Sequence, residues 1–268
     1  VKQLKAPVIS CQEVMPDTRL FWLDAPEIAA EAKPGQFVMV SCGEDTVLPR
    51  PFSVHRVDSN RLALLICAIG LGTRWLFQIK KDDNLDIFGP LGNGYSVIPK
   101  TKNLLLVAGG MGIAPLYYLA ETAVGQGKKV TLIQGGRTRA GILPVSLTQQ
   151  YYEKGLPPAG LNVITATEDG TEGFKGLATQ LIPHYLRGTD QVFACGPAAM
   201  YRTMAAMPEL KNIPVQLSLE IVMGCGAGIC YGCTIKTKKG LRQVCKDGPV
   251  FEMGEVEWGN DNHGSIHR

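Results

Sequence analysis

No uncharged stretch of the chain is long enough to cross a bilayer. The longest, Leu104 to Ala120, falls short of the roughly 20 residues a spanning helix needs and is broken by Gly109, Gly110, Gly112 and Pro115. It reads as a buried strand followed by a loop and a helix. No apolar segment of the secretory kind follows Val1 to Pro7, although Lys2 and Lys5 stand there. A secretory signal is therefore not expected in the sequence as given, and a cytoplasmic location is the default. Charge of either sign is sparse: charged residues make up 19%, and 27 basic against 24 acidic residues leave +3 with no long basic run. Nothing there marks a nucleic-acid or membrane-surface binder. Internal repeats and low-complexity tracts are lacking as well. Histidine is scarce, at His55, His184, His263 and His267; the last two stand four apart, but in a polar tail after Trp258 that is expected to fray, a poor place for a metal.

What is present fits a folded, loop-rich protein: 45% apolar residues, 31 glycines and 17 prolines. A length of 268 residues suits two ordinary domains and a small appendage. From Val8 to about Ile98, short β-rich runs (Gln36 to Ser41, Phe52 to Val57, Leu62 to Cys67) alternate with Gly, Pro and Asp turns, as in a small antiparallel barrel. After Lys100 the buried runs Leu104 to Ala108, Val130 to Ile133, Asn162 to Thr165 and Gln191 to Ala194 are separated by helical stretches, which implies βαβ units and a doubly wound parallel sheet. Beyond Lys211 a Gly/Cys loop leads into a hairpin-like segment, Thr234 to Cys245. The expected architecture is thus multidomain, all-β then α/β, with residues 1–99 as barrel, 100–212 as α/β domain and 213–268 as a small C-terminal domain and tail.

Eight cysteines without an export signal point to metal ligation, catalysis or burial rather than disulfides. Cys11, Cys42, Cys67 and Cys195 are scattered, whereas Cys225, Cys230, Cys233 and Cys245 crowd together. The spacing Cys-x4-Cys-x2-Cys of the first three is that of plant-type iron–sulfur loops, and Gly224, Gly226, Gly228 and Gly232 give the backbone freedom to wrap a 2Fe-2S cluster. The short final spacing differs from plant ferredoxins. A structural zinc site also takes four cysteines, more often as two close Cys-x2-Cys pairs, of which this segment has one.

Two further sets of residues suit nucleotide cofactors. Leu48-Pro-Arg-Pro-Phe-Ser53 puts a guanidinium and a hydroxyl at a strand edge, Ile69 to Leu76 reads as a glycine turn into a helix capped by Thr73, and Gly89 to Tyr95 is a tight loop. Val107-Ala-Gly-Gly-Met-Gly-Ile-Ala-Pro115 and Ala194-Cys-Gly-Pro-Ala-Ala-Met200 each end a strand and open a helix, so both can lie at one sheet edge, where ligands bind. Neither is the Gly-x-Gly-x-x-Gly fingerprint, and each alone is compatible with a plain turn. Arg137 and Arg139 leave open whether a dinucleotide would carry a 2′-phosphate.

Together these segments resemble the ferredoxin-reductase superfamily. The resemblance implies that Arg50 holds the pyrophosphate of FAD, that Ser53 contacts the isoalloxazine, that Gly72 and Thr73 hold phosphate, that Leu65, Ile66 and Cys67 line the cofactor, and that Pro51 and Phe52 bind it too. It implies further that Gly109, Gly110 and Gly112 on one loop and Cys195 with Gly196 on the other flank the nicotinamide. Met223 to Cys233 and Cys245-Lys-Asp-Gly-Pro-Val-Phe251, with the turn Glu168-Asp-Gly170, are similar to the electron-transfer subunits of dihydroorotate dehydrogenase B over nearly the whole chain. Phe52 stands where that family often has a smaller aliphatic residue. The resemblance implies an NAD-linked oxidoreductase subunit of pyrimidine biosynthesis that carries electrons from an FMN-containing catalytic partner, in a heterotetramer, through 2Fe-2S and FAD to NAD+. It also implies that Cys225, Cys230, Cys233 and Cys245 are the metal ligands, and that the histidines need no role. A reductase subunit of a hydrogenase, sulfur reductase or transhydrogenase, and a non-catalytic zinc module, are the alternatives.

Overall fold

Alternation of apolar side chains in the first ninety residues produces strands with two different buried faces, and the chain closes them on themselves. The structure, a computed structural model, describes residues 1–44, 46–144 and 160–258. The polar tail with His263 and His267 lies outside the described residues. Strands β1 (Lys2–Met15), β2 (Thr18–Asp24), β3 (Phe37–Val40), β4 (Arg50–Asp58), β5 (Arg61–Cys67) and β6 (Asn84–Leu91) form a closed antiparallel barrel in the order β1-β2-β5-β4-β3-β6. Closure leaves no unpaired edge. Along β2 and β5 the side chains of Phe21, Leu23, Leu62, Leu64 and Ile66 fill the barrel. The intervening Leu20, Trp22, Ala63 and Leu65 face outward yet are buried, because the α/β domain packs on them.

That domain is a sheet of seven strands. Their order is β10 (Phe174–Lys175), β9 (Leu161–Thr167), β8 (Lys129–Gly136), β7 (Asn103–Gly109), β11 (Gln191–Cys195), β12 (Val215–Ser218) and β15 (Val250–Glu252). All neighbours run parallel except β15, which is antiparallel to β12. Central strand β7 shows why both faces are covered. Leu104, Leu106 and Ala108 join a core with helix α3 (Ile113–Gly125) and the barrel, while Leu105 and Val107 join one with α4 (Ala178–Tyr185) and α5 (Ala198–Ala205). A fully buried Leu or Val contributes about 1.5–3 kcal/mol, so this strand anchors the domain.

The C-terminal segment is sewn into the same sheet. Strands β13 (Thr234–Thr237) and β14 (Gly240–Gln243) make a hairpin; the chain then turns through the short helix α6 (Val244–Asp247) into β15. The expected hairpin to Cys245 therefore ends two residues earlier, and Cys245 sits on a helical turn. Strands β12 and β15, both within residues 213–268, extend the parallel sheet. Among the described residues no helix is long and apolar enough to cross a membrane.

Candidate functional site

The loop 224–233 wraps so that backbone N–H groups point at sulfur. The Cys225 thiol accepts from the N–H groups of Ala227, Ile229 and Cys230 at 3.3–3.4 Å. Cys245 accepts from Gly228 N–H at 3.2 Å, and Cys233 from Cys245 N–H at 3.4 Å. The wrap needs left-handed backbone at Gly226 (φ 67°), where a Cβ would stand 2.6 Å from Cγ of Met39 in β3. Only glycine lets the loop lie this close to the barrel.

The four sulfurs fall into two pairs. Cys233 and Cys245 are buried with their thiols 3.3 Å apart, and Cys225 interacts with the thiol of Cys230, the most exposed of the four. Among the described residues no three ligand-type side chains gather around a single point. A two-iron centre takes two thiolates on each metal, and a tetrahedral zinc takes all four on one ion. Burial raises the Cys225 thiol, but the three backbone donors outweigh it and bring it down to about 6. Burial, together with the adjacent Cys233, pushes Cys245 up to about 12. Two sulfurs so close cannot both ionise unless positive charge lies between them.

This wrap comes near the barrel at the segment singled out for a flavin. A Cβ on Gly224 would lie 3.9 Å from Cδ1 of Leu48, two residues before Arg50. On the other side Asn93, after β6, donates its side-chain amide to the carbonyls of Lys246 and Asp247, at 3.2 and 3.1 Å. Arg50 opens β4, and its Nη1 donates to Leu48 O at 2.9 Å. A Cβ on Gly72 would stand 3.6 Å from Arg50 Nε, so the guanidinium and the first turn of α2 (Leu71–Leu76) share one place, as a pyrophosphate seat demands. Thr73 is not the N-cap expected of it. Gly70 caps the helix, and Thr73 Oγ1 reaches back to accept from Ile69 and Gly70 N–H groups at 2.9 and 3.0 Å. Its hydroxyl is occupied in shaping the turn. Ser53 is half-buried on β4, paired with Phe37, and Pro51 and Phe52 precede it on the same strand. Leu65, Ile66 and Cys67 do not share a face: Ile66 fills the barrel, Leu65 packs toward the sheet, and Cys67 stays half-buried.

Strands β7 and β11 are neighbours, so their two glycine loops meet at the carboxyl edge of the sheet, with Gly112 where only glycine fits: a Cβ there would lie 1.9 Å from Cys195 O. Gly109 backs on Gly196 in the same way, while Gly110, at positive φ, has open space beside it. The Gly196 N–H is spent on Tyr201, whose hydroxyl also donates to Ser218 O at 2.5 Å. Tyr201 gave no signal in the sequence beyond its place on an apolar helix face. Cys195 is buried, its thiol pushed well up by burial and by Glu220, whose carboxylate is 3.7 Å away. It is a neutral thiol. Arg139 has an acidic partner, Glu172, at 3.4 Å, and its N–H donates to Thr171 Oγ1 in the turn after Asp169. His55 is not idle: from β4 it reaches Ala114 at the start of α3.

Comparison with known proteins supports the fold and its iron-sulfur and NAD-binding domains. The iron-sulfur cluster binding domain of dihydroorotate dehydrogenase B matches residues 220–257, and the oxidoreductase NAD-binding domain matches residues 106–206. The chain is 36% identical over 267 residues to the electron transfer subunit of dihydroorotate dehydrogenase B (NAD(+)) from Desulforamulus reducens, covering 96% of this chain and 99% of the relative. The corresponding subunit of Caldanaerobacter subterraneus subsp. tengcongensis is 38% identical over 228 residues, covering 83% and 86%. Among solved structures, an NADH-dependent reduced ferredoxin-NADP oxidoreductase superposes with a TM-score of 0.82 at 29% identity, covering 94% of this chain and 90% of that one. A ferredoxin NADP+ reductase from Neisseria gonorrhoeae with bound FAD and NADP shares the fold, with a TM-score of 0.65 at 17% identity, covering 82% of this chain and all of that one.

Proposed function

This chain belongs to the family of dihydroorotate dehydrogenase B electron-transfer subunits, and from that premise we propose how its residues divide the work. It takes electrons from an FMN-containing catalytic partner that oxidises dihydroorotate, and delivers them to NAD+ in pyrimidine biosynthesis. When bound, the 2Fe-2S cluster passes single electrons and FAD exchanges them for the two-electron chemistry of nicotinamide. Cys225, Cys230, Cys233 and Cys245 would hold the cluster, as the two pairs the loop makes. Arg50 presents its guanidinium to the FAD pyrophosphate beside Gly72 and Thr73, and Ser53 orients the isoalloxazine beside Pro51, Phe52 and the half-buried Cys67, while Leu65 and Ile66, whose side chains are packed in two different cores, offer it backbone alone. Gly109, Gly110 and Gly112 seat the dinucleotide, and the neutral Cys195 thiol beside Gly196 offers the nicotinamide an uncharged wall. No side chain here is asked to act as a general acid or base.

The observation that carries this reading is the approach of the cysteine wrap to the barrel, with Gly226 against Met39 and Gly224 near Leu48, two residues before Arg50; it supports a cluster close to the flavin. The relatives of this chain are named electron transfer subunits, which supports placing the substrate site on a catalytic partner. We assign a heterotetramer of two chains of each kind, and a cytoplasmic location, where eight free thiols are kept reduced.

The test is to co-express the chain with a candidate flavin-barrel partner, purify the complex, and assay iron, FAD, FMN and dihydroorotate-dependent NAD+ reduction. Two irons and one FAD per chain with turnover are expected. Colourless protein holding one zinc would refute the cofactor assignment. Turnover with ferredoxin and NADPH but none with dihydroorotate would move the chain to a transhydrogenase role.

A further inference from the structure

Helix α3 continues directly from the glycine loop 109–112 and is fixed to the barrel along one face by three polar ties. His55 Nδ1 lies 2.9 Å from Ala114 O, so the ring nitrogen donates. The Tyr118 hydroxyl donates to Ala32 O at 3.0 Å. Arg56 Nε pairs with Glu121 Oε2 at 2.8 Å, both side chains about one-seventh exposed or less. Positions 114, 118 and 121 are four and three apart, the spacing of one helix face. These ties differ in where they act: Ala114 is two residues from Gly112, whereas Tyr118 and Glu121 lie one and two turns further along the helix.

The His55 tie also differs at its barrel end. Val54 pairs with Leu64 and Arg56 with Ala63, so His55 is the extra residue of a β-bulge. The bulge frees it from the ladder and aims its ring at α3, where it stacks on Tyr117 with ring centroids 5.1 Å apart and is 4% exposed. The same strand carries Arg50 and Ser53 a few residues earlier. One short strand thus joins the flavin seat to the first turn of the dinucleotide helix.

We infer that His55 is a positioning residue for hydride transfer: through the Ala114 carbonyl it fixes the glycine loop 109–112, and hence the nicotinamide, relative to the flavin seat on β4. This rests on the flavin and dinucleotide seats assigned above. Burial keeps the imidazole neutral at working pH, its affinity for a proton lowered to a pKa of about 4, so the tie holds unchanged across the physiological range. Misplacement of reacting atoms by about 1 Å costs up to roughly a hundredfold in rate, so a loosened loop is read more sensitively in hydride transfer than in stability.

The experiment compares His55→Phe, which keeps a ring on Tyr117 but removes the donor, with Tyr118→Phe, which removes a tie of equal kind one turn further from the loop. His55→Gln restores a donor. Each FAD-loaded chain, in complex with its partner, is followed by stopped-flow flavin reduction with NADH and by hydrogen exchange of the segment 109–118. For His55→Phe, flavin reduction about tenfold slower and faster exchange over 109–114 are expected, with FAD content, cluster absorption and Tm matching Tyr118→Phe, and with most of the rate recovered in His55→Gln. His55→Phe indistinguishable from Tyr118→Phe in both readouts would overturn the inference, as would a slowing that only tracks lost FAD. If His55→Phe does not fold, Tyr117→Leu takes its place, since it removes the surface that holds the ring; a partial slowing supports the inference and an undiminished rate overturns it. A wild-type chain without flavin would instead overturn the seat assignment, and the exchange readout separates the two failures.

Discussion

The Cys245 N–H points at the sulfur of Cys233 at 3.4 Å, while the two thiols stand 3.3 Å apart. Thiolates this close repel one another unless a cation lies between them, which is what the proposed ligand role would supply. Cys245→Ser is expected to lower iron from two per chain to near zero. FAD is expected to stay, because Arg50 and Gly72 belong to the barrel and not to the wrap. Iron assay and the flavin absorption bands check both halves. A variant retaining two irons would remove Cys245 from the ligand set.

Gly226→Ala tests the closeness of wrap and barrel. The substitution imposes left-handed strain of about 1–2 kcal/mol and drives a methyl to 2.6 Å from the buried Met39 side chain. Gly240, at φ 95°, has nothing within 4 Å, so Gly240→Ala carries strain alone. Thermal unfolding should therefore fall by several degrees for Gly226→Ala and by visibly less for Gly240→Ala. Equal losses would show that Met39 moves aside freely.

Arg50→Lys and Arg50→Ala separate charge from shape at the flavin seat. Lysine keeps the charge but loses the planar fork. Fluorescence titration with FAD should show affinity about tenfold to a hundredfold weaker in Arg50→Ala, the scale of a lost charge-assisted hydrogen bond, and an intermediate loss in Arg50→Lys. Unchanged affinity in Arg50→Ala would place the pyrophosphate elsewhere.

His55 gives the folded chain a pH dependence of definite sign. Burial, and to a lesser degree Arg56, lowers its pKa to about 4 against 6.5 unfolded, so the unfolded chain binds more protons between these values. The stability contribution is complete above about pH 6.5, declines as pH falls toward 4, and amounts to on the order of 3 kcal/mol at most. Denaturant unfolding at pH 7, 6, 5 and 4 should show this decline in the wild type and a shallower one in His55→Phe. Parallel curves would mean that the imidazole titrates normally.

The amino-acid sequence by itself determined the elements that local chemistry controls. Alternating apolar runs specified the barrel strands and the buried parallel ones, and glycine before a helix specified the two loops at the sheet edge. Three cysteines at fixed spacing among glycines specified the wrap, since a loop that must enclose sulfur allows few other patterns. Tertiary structure alone decided what depends on residues distant in the chain. The pairing of Cys233 with Cys245, the seat of Gly226 on Met39, the Asn93 ties to α6 and the insertion of β15 beside β12 are all packing outcomes with no local signature. The same holds for Thr73, whose hydroxyl turned inward to close a helix start, and for Tyr201, which took up the Gly196 N–H. His55 is the clearest case: its sequence context is an ordinary strand, and only the packing of β4 against α3, at a one-residue bulge in its pairing with β5, gave it burial and a carbonyl acceptor.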